Sequence, residues 1–330
     1  MFNTNITANR IIFFGTSEFA IPALGALANI GYDIVVVITT PDEPAGRKQI
    51  LTPPPIKVAA RKLGLAITQP TKLKGNSELI AYSLKLKVNI GIVAAYGKII
   101  PPELINLPEH GILNIHPSLL PKYRGPSPIQ AAILNGERET GVTILKIDEE
   151  VDHGPIIAKS PKRKVKSDEK FRELHEDLAK IGANLLIKIL PDYLAGKIKP
   201  VEQDHSQATF TKIIKKENGR IDWHQEAKQT YNQYRAFHLW PGIFTSVKRK
   251  AKSEKQQILK ITDCKVSDRQ PYHGHDEIYI GKVYQEDDEI YVPCSIGHLD
   301  ILRVQLESGK EMPIRDFLSG HRDFIGSLLE

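Results

Sequence analysis

The chain of 330 residues is poor in cysteine and contains no long apolar run. Its two cysteines, Cys264 and Cys294, are too few for the disulfide framework of a secreted domain. No apolar stretch approaches the roughly 18 residues of a membrane-spanning helix, and the opening segment MFNTNITANR lacks the apolar core of a secretory signal. From these absences we expect a cytoplasmic protein with no membrane partner.

The glycine motif of dinucleotide-binding sites is missing as well. An apolar run, Arg10–Gly15, is followed by the letters TSEFA, so Ser17 and Ala20 stand where G-x-G-x-x-G would have its later glycines. A helix N-terminus at this turn would suit an anion, but a tight structural turn is the better interpretation. The pattern argues against a nicotinamide-dependent dehydrogenase.

The positive charge of the chain is unevenly distributed. Residues 212–255 contain eleven basic and four acidic side chains, whereas residues 256–330 contain eight basic and fourteen acidic ones. A segregated basic stretch is typical of proteins that bind a polyanion, because neutralised phosphates release counterions. Taken alone, the charge favours the simpler interpretation of a lysine-rich, solvated surface.

The first half of the chain alternates short β-rich runs with helical patterns, which is typical of β-α-β units. We predict strands over 10–15, 34–38, 88–93, 111–116, 140–147 and 156–158. We predict helices over 19–30, 58–63 and 128–134, and a long amphipathic helix that Ser167 caps and that ends at about Leu190. The pattern indicates an α/β fold, with a Rossmann-like, mostly parallel sheet and helices on both faces.

The character of the sequence changes beyond Pro191, where a polar connection runs to Asp204. We predict one helix over 226–236 and short strands over 258–262, 278–283 and 290–292, as in a small β-barrel. We therefore expect a first domain over 1–190, a linker over 191–210 and a smaller, OB-like β-barrel domain over 211–330.

Two polar residues mark the end of the predicted strand 111–116. Asn114 and His116 are two residues apart, so both side chains leave the same face of the strand, which Pro117 then ends. The carboxyl edge of an open parallel sheet is where ligands bind. An isolated N-x-H pattern more often marks a capped strand with one hydrogen-bonded core histidine.

Asp152 lies in a turn-rich, acidic segment after the next strand, where its carboxylate can meet His116. The alternative is an Asx-turn or a helix cap, roles that are common for aspartate before glycine. Together the three residues suit acyl transfer to an amine: an amide N–H for the developing oxyanion, an imidazole for proton transfer and a carboxylate that orients it. No covalent nucleophile is evident or needed.

Three strings in this region resemble the 10-formyltetrahydrofolate-dependent formyltransferases: NIHPSLLPKYRG over 114–125, GVTI over 141–144 and VDHG over 151–154. The resemblance implies that Asn114, His116 and Asp152 are catalytic and that 10-formyltetrahydrofolate is the formyl donor. It also implies a folate site bordered by Tyr96, Gly97, Ile99, Ser118, Leu119, Leu120 and Pro121.

Further strings are similar to the branch of that family that formylates methionyl-initiator tRNA in translation initiation. They lie at 40–47, 127–130, 219–223 and 235–242, and the resemblance as a whole runs from Ile11 to Leu318. It implies a catalytic first domain, a tRNA-binding second domain and contacts to tRNA from Arg47, Lys48, Lys212, Arg220, Lys248, Arg249 and Lys250. We expect a monomer.

Two alternatives stay open. The same chemistry serves an amino-sugar nucleotide or a purine precursor, since Tyr123–Gly125 is shared with such relatives. A non-catalytic RNA-binding protein would use only the basic stretch and would need none of the three polar residues. His273 and His275 have no further ligand cluster beside them, so we expect no metal.

Overall fold

The computed structural model describes residues 9–46, 48–248, 257–267 and 279–330. These residues form two compact units. The first unit extends to Pro128 and includes 139–164 and 174–212. The second unit comprises 129–138, 165–173 and the chain from Ile213 onward.

The strands that precede residue 165 belong to the first unit. They are β1 (Arg10–Gly15), β2 (Asp33–Ile38), β3 (Glu43–Ala45), β4 (Ile50–Thr52), β5 (Ile67–Thr68), β6 (Ile90–Ala94), β7 (Ile112–His116), β8 (Glu139–Thr140), β9 (Thr143–Lys146), β10 (Ile156–Lys159) and β11 (Arg163–Lys164). The helices up to residue 194 are α1 (Ile21–Ile30), α2 (Pro55–Lys62), α3 (Ser77–Lys85), α4 (Pro102–Ile105), α5 (Pro128–Leu134) and α6 (Phe171–Leu194).

Seven of these strands form one sheet in the order β10-β9-β7-β6-β1-β2-β5. The pairs from β7 to β5 are parallel, whereas β9 runs antiparallel to both β7 and β10. Parallel neighbours need a crossover connection, which the intervening helices supply, while antiparallel neighbours need only a short turn. The predicted mostly parallel α/β sheet is confirmed.

Helices cover both faces of this sheet. Ile12 and Phe14 alternate along β1 and belong to a buried cluster with Leu79 of α3 and Leu104 of α4. Ile115 of β7 points to the opposite face, where it packs against Gly182 of α6. Alternation along a strand therefore explains why nearly every residue of β1 and β6 is apolar and buried.

Two predictions on this unit were wrong in detail. The strand expected over 140–147 is divided, because β8 pairs with β11 in a separate two-stranded sheet whereas β9 belongs to the seven-stranded sheet. Ser167 is not the cap of the long helix, which begins only at Phe171. A turn comes first, in which the Lys166 backbone N–H donates to the Glu169 carboxylate at 3.2 Å.

The long helix α6 also extends beyond the predicted end at Leu190. It continues to Leu194 with Pro191 inside it. A proline lacks one backbone N–H and so removes one helical hydrogen bond. The apolar face of α6 nevertheless stays buried as far as Tyr193, whose hydroxyl donates to the His110 carbonyl oxygen at 2.7 Å. Burial and this bond hold the last turn in helical form.

The second unit is a mainly antiparallel β-structure. Its elements include α7 (Ala227–Phe237), β12 (Ile243–Lys248), β13 (Gln257–Ser267), β14 (Tyr284–Glu286), β15 (Glu289–Pro293), β16 (His298–Leu306), β17 (Met312–Pro313), α8 (Ile314–Gly320) and β18 (Leu328–Leu329). The sheet order is β14-β15-β16-β13-β12-β18, with β17 beside β16.

Backbone hydrogen bonds join the two ends of this sheet. The N–H of Val283 donates to Ser327 O at 2.9 Å, and the N–H of Leu329 donates to Gly281 O at 2.8 Å. The residues before β14 thus meet β18 and close a barrel around a buried core that contains Trp223. The predicted β-barrel is confirmed.

The strand predicted over 278–283 was wrong. Ile278 lies outside the described residues, and Tyr279–Val283 form a turn with a single bridge between Lys282 and Leu328. Gly281 has a φ of +78°, and a Cβ there would lie 2.8 Å from Leu329 O, so only glycine fits this corner of the barrel. Among the described residues, no helix is long and apolar enough to cross a membrane.

Candidate active site

The site lies at the carboxyl end of β7. Val93 of β6 is the register partner of Asn114 in the parallel β6–β7 pair. Asn114 and His116 leave the strand on the same face, as their spacing predicts. Asn114 is half-buried, and His116 is 3% exposed. The strand therefore presents both groups at the edge where parallel sheets bind ligands.

Asp152 meets both of these side chains. Its Oδ1 accepts a hydrogen bond from Asn114 Nδ2 at 3.0 Å, and its Oδ2 lies 3.4 Å from His116 Nδ1. Oδ2 also accepts the backbone N–H of Gly125 at 2.8 Å. The structure thus brings together the three residues that the sequence singled out, and it adds the Gly125 amide.

The partners of these groups decide their orientation. A carboxylate only accepts, so the Asn114 amide must turn its N–H₂ toward Asp152, which leaves one of its two N–H groups for another acceptor. His116 Nε2 lies 2.9 Å from the Tyr123 carbonyl oxygen, which also only accepts. Nε2 therefore carries a hydrogen, and Nδ1 faces the Asp152 carboxylate.

Two residues of this cluster have a strained backbone. Asp152 has a left-handed φ of +50°, and Tyr123, whose carbonyl contacts His116, has a φ of +62°. Such residues cost about 1–3 kcal/mol each and persist only where the surroundings hold them.

The segment after β6, which the resemblance assigns to the pterin ring, adjoins the cluster through the β6–β7 pair. Tyr96 is 2% exposed, packs against the Phe14 ring and accepts a hydrogen bond at its carbonyl from Thr16 Oγ1 at 2.8 Å. Burial raises the pKa of the Tyr96 phenol to about 12. Gly97 and Ile99 are exposed, Ile99 to 79%.

The four residues after Pro117 differ in their exposure. Ser118 and Leu120 are completely buried, and Ser118 Oγ donates to the Lys122 carbonyl oxygen at 2.6 Å. Leu119 and Pro121 are only half-buried. Of these four predicted folate contacts, therefore, Leu119 and Pro121 are the ones with side-chain surface to offer a ligand.

The predicted tRNA-contacting loop forms a hairpin of β3 and β4. Arg47 lies outside the described residues, and its neighbour Lys48 is exposed. Asp42, at the base of the hairpin, accepts hydrogen bonds from Lys57 Nζ at 2.6 Å and from Gln69 Nε2 at 2.7 Å. The hairpin is thus tied to the first unit at its base.

Other predicted tRNA contacts lie farther along the chain. Lys212 is exposed in the first unit. In the second unit, Arg220 and Lys248 are exposed and both contact Glu330, at its carbonyl oxygen and its carboxylate respectively. Arg249 and Lys250 lie outside the described residues.

Sequence reasoning missed two polar side chains that support the site. Arg124 and Gln203 are 3% and 5% exposed and contact each other. Gln203 falls in the predicted linker, and nothing in the sequence of a polar segment distinguishes a buried glutamine from a solvated one. Arg124 lies within the string over 114–125 that carries the resemblance, but nothing in that string shows that its guanidinium is buried.

Metal ligands do not gather in the described part of the chain. No group of three or more His, Cys, Asp or Glu side chains there has the arrangement that holds a metal ion. His273 and His275 lie outside the described residues.

Comparison with known families identifies the class of protein. Residues 9–190 match the family described as formyl transferase, and residues 213–322 match its C-terminal domain. The chain belongs to the formyl transferase family.

Relatives within the family are similar over nearly the whole chain. A methionyl-tRNA formyltransferase of Caldanaerobacter subterraneus subsp. tengcongensis is 38% identical over 321 residues, which is 97% of this chain and 100% of that protein. The methionyl-tRNA formyltransferase of Listeria innocua serovar 6a is 38% identical over 312 residues, covering 94% of this chain and 95% of that protein.

Solved structures share the fold at lower identity. An N-formyltransferase from Helicobacter canadensis, in complex with folinic acid and dTDP-3-aminofucose, has a TM-score of 0.64 at 19% identity and covers 92% of this chain and 100% of its own. HypX from Aquifex aeolicus, in complex with tetrahydrofolic acid, has a TM-score of 0.62 at 17% identity and covers 96% of this chain and 48% of its own.

Proposed function

We propose that this chain is a methionyl-tRNA formyltransferase, which transfers a formyl group from 10-formyltetrahydrofolate to the α-amino group of methionyl-initiator tRNA in translation initiation. The observation that carries the proposal is the bonded cluster of Asn114, His116 and Asp152 at the carboxyl end of β7. Full-length similarity to methionyl-tRNA formyltransferases supports the choice of acceptor.

The three side chains divide the work of acyl transfer. The donor supplies the formyl carbon, whose bond to N10 breaks as the amine nitrogen bonds to it, and N10 gains a proton for the one that the amine loses. The second N–H of Asn114 stabilises the negative charge that develops on the formyl oxygen, a contribution of about 3–4 kcal/mol for one such donor. His116 accepts a proton at Nδ1, and the Asp152 carboxylate stabilises the resulting imidazolium.

The residues beside the cluster fit a folate. A pterin is a flat ring with a polar edge, and the segment after β6 offers it an exposed isoleucine, Ile99, and an exposed backbone at Gly97. Small-molecule sites combine apolar surface with a few convergent polar groups in this way. Leu119 and Pro121 add partly exposed apolar surface after β7.

The tRNA is bound through phosphate contacts and through its acceptor end. In the second unit, Arg220 and Lys248 are exposed beside one another, in a sequence stretch with a strong excess of basic residues. Exposed lysine and arginine side chains position a nucleic acid without reading its bases. Lys48 of the β3–β4 hairpin and Arg47, its neighbour in sequence, contact the aminoacylated end.

A direct assay tests this function. Purified protein is mixed with 10-formyltetrahydrofolate that carries a labelled formyl group and with methionyl-initiator tRNA, and label in the tRNA is measured. Wild-type protein should formylate the tRNA, and Asp152→Asn, which keeps the size of the side chain, should slow the single-turnover rate by about 10²–10⁴-fold. Equal rates for the two proteins would contradict the assigned site.

The same assay separates the acceptors. A dTDP-amino sugar replaces the tRNA in a parallel reaction, because a sugar N-formyltransferase shares this fold. Label in the sugar nucleotide and none in the tRNA would overturn the proposed acceptor while leaving formyl transfer in place. A protein that binds tRNA with a steep salt dependence but consumes no formyl donor would instead be an RNA-binding protein.

A further inference from the structure

A chain segment after α6 lies against the back of the catalytic cluster. We call residues 201–211 the strap. It begins with a backbone bridge between Val201 and Ile156 of β10, with N–H to carbonyl oxygen distances of 2.7 and 2.9 Å. It ends with a bridge between Phe210 and Arg124. The strap thus joins the segment that bears Asp152 to the loop that bears Gly125.

Gln203 is the buried centre of the strap. Its Nε2 lies 2.9 Å from Asp152 O, 3.0 Å from His153 O and 2.7 Å from Gly154 O. Three successive carbonyl oxygens therefore converge on one amide nitrogen. The two hydrogens of Nε2 are shared among the three oxygens, and loss of this donor costs about 1–3 kcal/mol for each buried carbonyl left without a partner.

The Gln203 side chain also contacts the loop that carries Arg124 and Gly125. Its Oε1 accepts from Arg124 Nη2 at 2.8 Å and from Arg124 Nε at 3.2 Å. Arg124 immediately precedes Gly125, whose N–H donates to Asp152 Oδ2. One amide group, 5% exposed, thus fixes both the turn that carries the catalytic carboxylate and the loop that carries its backbone donor.

Thr209 of the strap contacts the loop whose Tyr123 carbonyl is the hydrogen-bond partner of His116. The Thr209 carbonyl accepts the Arg124 N–H at 2.8 Å, and Thr209 Oγ1 accepts the Tyr123 N–H at 2.8 Å. Tyr123 has a left-handed φ of +62°, and its carbonyl oxygen is the acceptor for His116 Nε2. The strap therefore also supports the conformation that orients the imidazole ring.

We propose that Gln203 is a positioning residue for catalysis: it holds Asp152 in its left-handed turn, and through Arg124 it aligns Gly125 with the same carboxylate. Gln203 is too buried to touch a substrate, so it acts only through these groups. The inference rests on the proposed function, because the effect on rate is measured as formyl transfer. A misplacement of about 1 Å at a catalytic group costs up to about 10²-fold in rate.

Two substitutions separate the donor and acceptor roles of the Gln203 amide. Gln203→Ala removes both the Nε2 donor and the Oε1 acceptor. Gln203→Glu keeps an acceptor for Arg124, as an ion pair, but replaces the donor to the turn by an oxygen that repels the three carbonyls. The control is Gln207→Ala, an exposed strap residue of the same type whose Nε2 donates to Asp204.

Both Gln203 variants should lower kcat by about 10–100-fold, with the KM for the formyl donor and for tRNA within about 2-fold of wild type. Gln207→Ala should match wild type. In the Asp152→Asn background, Gln203→Ala should change the single-turnover rate by less than about 2-fold, since groups that act as one unit are not additive. Two results would overturn the proposal. One is a kcat for Gln203→Glu equal to that of wild type, and the other is a rate loss in the Asp152→Asn/Gln203→Ala variant equal to the product of the losses in the two single variants.

Amide hydrogen exchange supplies a readout that needs no activity. Peptides over 148–156 and 122–126 should exchange faster in both Gln203 variants than in wild type and in Gln207→Ala. If Gln203→Ala fails to fold, the positioning role is tested with Gln203→Glu alone, because its carboxylate still pairs with Arg124 and keeps that contact of the fold. If wild-type protein formylates nothing, the proposed function fails, whereas unchanged exchange in the variants would refute the positioning role itself.

Discussion

Asp152 is stabilised by neutral donors rather than by a buried cation. Its two carboxylate oxygens accept from the Asn114 amide and the Gly125 backbone N–H, and the only charge that can form beside it among its described partners is that of His116. A carboxylate in a half-buried place favours a positive charge nearby. In the proposed mechanism, Asp152 therefore stabilises the positive charge that His116 acquires during the transfer.

Asn114→Ala tests the amide as an oxyanion donor. Removal of one such donor should lower kcat by about 10²–10³-fold, because the negative charge on the formyl oxygen loses its N–H partner. The unfolding midpoint should stay close to that of wild type, since Asn114 is only half-buried. Steady-state kinetics check the rate, with Asn106→Ala, an exposed residue at the end of α4, as the control. A comparable loss of kcat in Asn114→Ala and Asn106→Ala would contradict the role of Asn114 as the oxyanion donor.

At the residue scale the sequence predicts some relations and not others. The spacing of Asn114 and His116 places them on one face of a strand, because alternation along a strand is local geometry. The 35 residues between His116 and Asp152 say nothing about their distance, and the Gly125 N–H has no side chain by which to identify it. The contacts that select the tautomer of His116 come only from folding.

Helix α6 packs closely against β7, the strand that carries Asn114 and His116. Gly182 faces Ile115, the residue between Asn114 and His116, and a Cβ there would lie 2.5 Å from Ile115 Cγ2. The helix backbone therefore approaches the strand as closely as glycine allows. Because Ile115 is the backbone neighbour of both polar residues, this contact supports the strand that presents them.

Gly182→Ala should destabilise the first unit. Overpacking costs about 1–3 kcal/mol, which exceeds the gain of up to about 1 kcal/mol from the better helix propensity of alanine. Gly25→Ala in α1 is the matched control, because no atom lies within 4 Å of the added Cβ. Chemical denaturation should show opposite shifts of the midpoint for the two variants. If both substitutions stabilised the protein, α6 could shift away from Ile115 at no cost in free energy.

Element boundaries show where local signals fail. The start of α6 at Phe171 rather than after Ser167 depends on the Lys166–Glu169 turn, and its continuation past Pro191 depends on burial of Tyr193. Propensity and capping patterns are weak compared with such tertiary contacts. In the same way, the closure of the barrel by Gly281–Val283 uses bonds to distant residues that no strand pattern predicts.

At the scale of the whole molecule, a half-buried histidine makes stability depend on pH. Burial lowers the pKa of His175 on α6, next to the Phe19 ring, below the ordinary value of 6.5. The unfolded chain then binds more protons than the folded one below about pH 6.5, so stability falls as pH decreases from there toward the folded pKa. His175→Gln should reduce this slope, measured as the free energy of unfolding of the first unit between pH 7 and pH 5.5. An unchanged slope would show that other groups dominate.

Both cysteines should be unreactive in the native protein. Cys264 and Cys294 are free and buried, and burial raises the pKa of both thiols, that of Cys294 to about 11. The thiolate is the reactive form, and at pH 8 it is a fraction of about one in a thousand for such a pKa. A disulfide exchange reagent should label no thiol in native protein and two in denaturant. Rapid labelling without denaturant would indicate that the barrel opens.

The sequence by itself determined the fold class and the chemistry of the site. Periodicity is local, so alternating strands and helices indicated the parallel sheet and the barrel, and the strings over 114–125 and 151–154 indicated formyl transfer. Only the tertiary structure decided that Gln203, in the predicted linker, contacts the turn of Asp152 and, through Arg124, the loop of Gly125. The reason is physical: a buried amide acquires its role from partners about 50 to 80 residues away along the chain, and the energy of such contacts leaves no periodic trace in sequence.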